Sequence, residues 1–298
     1  MRGIGHPVAG FEGSWAFKLS GASDRLRFSE RSPMPNPVAT QFPPRPDTTP
    51  SAFPPTSFSV PAPLEGHTGT RVKDGRTYGE KMSQKPNVSG EKLFDYKPAA
   101  STGGGKVGNI WGDFSQWNKA NCSTVAAIKA VMMQFGKRPT DVFKSVRETA
   151  DGYHVTLRNG ESTFLTKDEL KQAAAVAQLK GEDPMTVLYA NFMFAVSAKR
   201  YQESGPASFT EAMHVLNSGG RLEYTFRRLG VWDEVEAVPP EQLAQGRMGV
   251  FESNGHAALV FKGREERWGK RGGPSPTKVI DVAYAFKNRA VSSNGHWH

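Results

Sequence analysis

The sequence predicts an α+β domain, helices first and sheet last, behind a long disordered leader. Three observations carry this. Apolar stretches of helical length fill the middle of the chain, and short period-two runs, "RMGVFES", "HAALVFKG" and "KVIDVAYAF", close it. Between Pro33 and Pro63 stand 11 prolines among Ser, Thr and Ala, with few large apolar residues to bury. Such a segment cannot offset the entropy of ordering its own backbone. Helices and strands that segregate along the chain make an α+β layout rather than a doubly wound one.

The leader spans residues 1–105 and ends at the glycine-rich "STGGGKVGN"; residues 106–298 form the expected domain. A hydrophobic content of 37% is low for a compact chain of this length, and the leader accounts for the shortfall.

The stretch from Asn121 to Phe135 is too long and too rich in Ala and Met for a strand. It reads as a buried helix with Gly136 as a left-handed cap. "GYHVTLRNGESTFLTKDEL" gives two β-prone runs about Asn159-Gly160, a two-residue hairpin signal. A capping box of Thr166 and Glu169 then opens a helix over 167–180. Asp183 as cap and Pro184 at the first helical position start a helix that is apolar on nearly every side, hence central. Ser208 and Glu211 repeat the box, and that helix stops at Gly219-Gly220. The period-two runs follow as the sheet.

The net charge of +9 divides into +4 over residues 1–105 and +5 over the rest, without a basic stripe, so no nucleic-acid partner is expected. "FRRLG" and "KGREERWGKRGG" read as solvated loops. One cysteine excludes an intrachain disulfide framework. The N-terminus lacks the apolar core of roughly 7 to 15 residues that a secretory signal needs. No run of ~18 apolar residues spans a membrane. No thiolate pair is present to hold zinc, and "TGGGKVGN" has neither a preceding strand nor a Lys-Ser/Thr pair. No metal or organic cofactor is expected.

The one cysteine, Cys122, stands where a polar run gives way to the apolar helix. A free cysteine is ordinarily a small buried hydrophobe. At a helix start, however, unpaired amides and the positive end of the dipole face its sulfur and favour the thiolate. Acyl chemistry further needs an imidazole, an acceptor to orient it, and donors for the oxyanion. His6 and His67 lie in the leader, and His296 and His298 at the extreme C-terminus; His154, in a strand, and His214, in a helix, read as ordinary side chains. His256 opens "HAALVFKG" after a turn, among the small residues Gly255, Ala257 and Ala258, which would let substrate approach. Its plain reading is a polar residue at a strand start. Asp281 interrupts "KVIDVAYAF", where a carboxylate is costly unless paired. If that strand lies beside the one bearing His256, the imidazolium is its partner; otherwise a lysine or arginine is. Gln116, six positions before Cys122, could join the Cys122 amide as an oxyanion donor.

This order of Gln, Cys at a helix start, a helical stretch, then His and Asp on late strands resembles the papain-like cysteine peptidase superfamily. "Q-x5-C-S-T-V-A-A" is similar to calpain-like bacterial members. The 134 positions from Cys122 to His256 fit the papain class, and the resemblance covers about 110–290. It implies a papain-like fold, with the cysteine helix packed on a C-terminal antiparallel sheet. It also implies Cys122 as nucleophile, His256 as general base and then acid, Asp281 as the orienting third member and Gln116 as oxyanion donor. The sequence departs from the family pattern in three places. The motif glycine near the nucleophile is Ala120 or Asn121, no Trp follows the cysteine, and no Trp closely follows the Asp. The last departure leaves room for a transglutaminase or glutamine deamidase, which uses the same order of residues.

A Pro/Ser/Thr-rich leader before one catalytic-type domain, without a signal peptide, also resembles effectors that bacteria inject through a type III apparatus. That likeness implies a protein substrate in the host cytoplasm and a secretion chaperone on the leader, the bacterial cytoplasm being the alternative location. A different class stays open: an interaction module whose "PPRP" segments dock in aromatic grooves, with the triad coincidental.

Overall fold

A computed structural model describes residues 72–73, 76–77, 79–99, 105–278 and 280–288. The expected disorder of the leader falls mainly outside these residues. In chain order the elements are β1 (Val72–Lys73), β2 (Arg76–Thr77), β3 (Val88–Ser89), β4 (Ser115–Gln116), α1 (Cys122–Phe135), α2 (Pro139–Val142), β5 (Ser145–Glu148), β6 (Gly152–Thr156), β7 (Ser162–Thr166), α3 (Lys167–Ala177), β8 (Leu179–Gly181), α4 (Pro184–Glu203), α5 (Phe209–Leu216), α6 (Leu222–Arg228), β9 (Val235–Ala237), α7 (Pro240–Ala244), β10 (Gly249–Ser253), β11 (His256–Phe261), β12 (Arg264–Arg267), β13 (Lys270–Pro274) and β14 (Val282–Phe286). The late strands form one antiparallel sheet, ordered β13-β12-β11-β10-β14-β9. Two three-stranded sheets, β5-β6-β7 and β3-β8-β4, sit among the helices. The architecture is α+β.

Local signals set the helix starts. Thr166 Oγ1 accepts from the Glu169 amide at 3.0 Å, and the Glu169 carboxylate accepts from the Thr166 amide at 2.9 Å, closing the capping box of α3. Ser208 and Glu211 do the same for α5. Asp183 caps α4 by accepting from the Met185 amide at 3.1 Å, with Pro184 at the first position. Two ends differ from expectation. α3 stops at Ala177 instead of 180 because Gln178 turns left-handed, with φ 49°, and the next three residues become β8 between β3 and β4. Gly136 ends α1 at positive φ, but its φ of 121° and ψ of 158° are extended rather than left-handed helical. A side chain there would strike Asp141.

Nearly every side of α4 is buried. Its Phe192 is met by Tyr96, Tyr153 and Phe143, with ring centroids 4.4, 5.1 and 6.4 Å away. Tyr96 belongs to the stretch assigned to the leader, yet it is 1% exposed. Around it, β3 pairs with β8, Asn191 donates to the carbonyls of Gly90 and Leu93, and Glu80 bridges to Arg271 at the edge of the large sheet. The boundary expected at 105 is therefore corrected: residues 79–99 are part of the folded unit. An extended ribbon buries few side chains of its own, so its composition resembles that of a linker.

The sheet order corrects a second expectation. β14 lies between β10 and β9, so β10 separates the strand after Asp281 from the strand that His256 opens.

Candidate active site

α1 crosses the large sheet over β11 and brings its first residue to the start of that strand. Asn121, just before the helix, makes no side-chain cap. Its amide instead donates to the Ala177 carbonyl at 2.9 Å and to Asn217 Oδ1 at 3.0 Å, locking the helix start to α3 and α5. The first-turn amides of α1 thus have no side-chain cap from Asn121. The backbone amides of Cys122 and Ser123, and that of Ala257, the residue after His256, pull the thiol pKa down, and the start of α1 packs against β11. The start of α1 and the strand that His256 opens, 134 positions on, are thus brought into contact.

Cys122 is buried, at 9% exposure. Burial pushes its thiol pKa up, outweighing the Ala257, Ser123 and Cys122 amides that pull it down; the charge of Glu252 pushes the same way as burial. This corrects the expectation of a resting thiolate. The amides expected from the helix start are present, but desolvation of the sulfur wins.

His256 is half-buried at the first position of β11, with its Nε2 shut off from solvent. Ala257 and Leu259 face the main core with α1, whereas Ala258 and Val260 join a smaller cluster on the other face of the sheet. The pleat places His256 in phase with Ala258. A ring directed at Cys122 therefore has to come round the end of the sheet, where Asn254 and Gly255 turn the chain at φ 47° and 74°. At that end the imidazole meets the indole of Trp268, with ring centroids 5.9 Å apart.

Asp281 is exposed and stands just before β14, not within a buried strand. The desolvation penalty that made it conspicuous in the sequence does not arise. Its Oδ2 accepts from the Asn254 amide at 3.2 Å, and its own amide donates to the Glu252 carbonyl at 2.9 Å. Asp281 thus fastens the turn that leads into His256, two strands away from β11.

Glu252 is the carboxylate that sequence reasoning missed. It pairs with Ala257 across the β10–β11 ladder, on the side of the sheet that faces α1. Its carboxylate accepts a short hydrogen bond from the Leu222 amide. Burial raises its pKa against the pull of that amide and of Arg221. The available signal was phase: an acid in "MGVFES" two positions after Val250, which faces the core.

Gln116, at the end of β4, is half-buried, and its Nε2 donates to the Lys119 carbonyl at 3.3 Å. One amide hydrogen thus closes the Gln116–Lys119 turn, and the other remains for an oxyanion.

Lys129 lies seven residues after Cys122, hence on nearly the same helix face. It is fully buried. Its ammonium donates to the carbonyls of Ile110 at 2.6 Å and Trp111 at 3.0 Å, meets Glu266 at 3.6 Å and sits 4.9 Å from the Phe114 ring. Burial lowers its pKa against the pull of Glu266 and Asp113. One cation thereby ties the segment leading to Gln116 and the turn carrying Trp268 to the helix of Cys122.

Among the described residues no group of three or more His, Cys, Asp or Glu is placed to hold a metal ion, and no helix is long and apolar enough to cross a membrane. Comparison with protein-family models, with curated proteins and with solved structures finds no match.

Proposed function

We propose that the protein is a cysteine peptidase of papain-like type, with Cys122 as nucleophile and His256 as the proton carrier. The observation that carries this reading is the packing of the start of α1 on β11, with Cys122 and Ala257, the residue that follows the candidate imidazole, in one core cluster and the Ala257 amide favouring the charged form of the sulfur. Backbone amides close to a sulfur are of more use to an attacking thiolate than to a packing group, because they favour the charged form as it develops. The raised thiol pKa fits a cysteine that rests as the neutral thiol. Proton transfer then accompanies attack, and a base is needed.

In this mechanism His256 swings over the end of the sheet, where Gly255 carries no side chain. It takes the thiol proton as sulfur bonds to the scissile carbonyl carbon. The oxyanion is held by the Cys122 amide and the second Gln116 hydrogen. The imidazolium protonates the leaving amine, the C–N bond breaks, and a thioester remains. Water, deprotonated by the same ring, then releases the acid and returns the thiol. Asp281 acts through the Asn254 amide as a positioning residue. Glu252 is the carboxylate facing the sulfur's side of the sheet.

The test is labelling of the full-length protein with a thiol-reactive epoxide peptide, mapped by mass spectrometry, alongside cleavage of an unfolded protein substrate. Modification of native Cys122 that is lost in His256→Ala, together with cleavage abolished in Cys122→Ser, is the expected result. Native protein that resists the probe while unfolded protein reacts would remove the nucleophile. Ammonia release without chain cleavage would replace the peptidase by a glutamine deamidase.

A further inference from the structure

Two indoles stand exposed at the rim of the site. Trp117, on the loop from β4 to α1, is 39% exposed, and Trp268, in the turn between β12 and β13, is 45% exposed. Their loops adjoin: a side chain at Gly269 would stand 3.1 Å from the Ser115 hydroxyl. Trp268 is held at a left-handed φ of 47°, unfavourable for a bulky residue. The next residue anchors it, since the Gly269 amide donates to Glu266 at 2.6 Å, and Glu266 meets Lys129.

Each indole carries a cation. Lys180 Nζ lies 5.3 Å from the Trp117 ring, and the Arg267 guanidinium 5.2 Å from the Trp268 ring. Arg267 is neutralised by Glu265 at 2.7 Å. Lys180 and the neighbouring Lys270 form no ion pair among the described residues. Burial, and then the charge of Lys270, hold the Lys180 pKa down. Lys180 stands opposite Ser115 in the β4–β8 pairing, and Ser115 adjoins Gly269, the residue before Lys270; an anion held between two such cations is favoured. Exposed indoles beside such a pair offer faces for a large apolar group.

We propose that this rim selects the substrate: a segment of a protein chain with an acidic residue next to a large apolar one, the carboxylate between Lys180 and Lys270 and the apolar side chain against Trp117 and Trp268. The inference rests on the peptidase reading for the chemistry after binding, but binding itself is measured separately.

Full-length Cys122→Ala protein is immobilised and offered a randomised pool of short peptides, and the retained peptides are sequenced by mass spectrometry. The expected result is enrichment of Asp or Glu beside Leu, Phe or Trp by about fivefold over the input pool. The acidic preference disappears in Lys180→Gln/Lys270→Gln and turns to Lys and Arg in Lys180→Glu/Lys270→Glu. The apolar preference weakens in Trp117→Ala and Trp268→Ala, with circular dichroism unchanged in all variants. No enrichment, or enrichment without an acid, overturns the proposal. Displacement of the pool by a single-stranded oligonucleotide at matched charge, dependent on the same lysines, also overturns it in favour of a polyanion surface. If the wild type fails to cleave peptides that the alanine variant retains, the rim stands and the peptidase falls.

Discussion

The ammonium of Lys129 and the carboxylate of Glu266 face each other 3.6 Å apart in the interior, and each is also committed to backbone: Lys129 to two carbonyls, Glu266 to the Gly269 amide. A pair so enclosed contributes little net stability over an apolar replacement, but losing one partner leaves the other charge buried alone.

Lys129→Ala is therefore expected to cost about 3–5 kcal/mol in urea unfolding. Lys129→Arg, which keeps the charge, should recover part of it. If Lys129→Ala unfolds at the wild-type denaturant midpoint, the cage does not hold the loops together.

The raised pKa of Cys122 makes stability depend on alkaline pH. An unfolded thiol ionises near ~8.5. Because the folded value is higher, the protonated folded state keeps its full stability below the unfolded pKa and loses it as pH rises towards the folded one. Between about pH 8.5 and 10 the denaturant midpoint should fall in wild type, and fall less in Cys122→Ala. The phenols of Tyr96 and Tyr153 are also pushed up by burial, that of Tyr153 to about 12, and act the same way only above ~10. Equal slopes for wild type and Cys122→Ala below about pH 10 would contradict the burial of the sulfur.

Asp281 reaches His256 through the Asn254 amide, so an acceptor matters there more than a charge. If the proposed peptidase reaction holds, Asp281→Asn, whose oxygen still accepts, should keep most of the activity, whereas Asp281→Ala should lower kcat about tenfold or more with little change in KM. A loss in Asp281→Asn as deep as in Asp281→Ala would mean that the charge acts on the imidazole directly. The same measurement on Glu252→Gln asks whether the carboxylate on the Cys122 side shapes the pH profile: removing its charge should shift the acidic limb, while a packing role would not.

Tyr96 fills the space against Phe192 and Tyr153, so Tyr96→Ala should destabilise by about 3–5 kcal/mol. Truncated chains beginning at residue 105 should be insoluble or molten where those beginning at 79 unfold cooperatively. Equal melting of the two would return residues 79–99 to the leader.

The parts of the fold legible in the sequence are those decided within a few residues. The Thr166 and Ser208 boxes and the Asp183-Pro184 start each join donor and acceptor over two or three positions, so the sequence states them directly. Strand order is set by pairings between distant segments. Nothing in "KVIDVAYAF" records that β10 will be its neighbour, and the partner inferred for Asp281 depended on that order. For the candidate site, the sequence located the helix start of Cys122 and the strand start of His256, because each follows a change of local pattern. It pointed the wrong way for the thiol pKa, because the burial that dominates is set by the packing of the whole core around Cys122 and not by its local pattern. Glu252 was hidden by its surroundings, since an acid near a strand end looks like an edge residue until the facing helix is known.

The isolated bridge between Glu80 and Arg271, with amide and carbonyl exchanged in both directions at 2.7 and 2.9 Å, gives the ribbon 79–99 a mechanical meaning. Tension drawn through Glu80 arrives at β13, the edge strand of the large sheet, and is borne there by this one pair of bonds. The helix of Cys122, which packs over β11, lies two strands in from that edge and is loaded only after it.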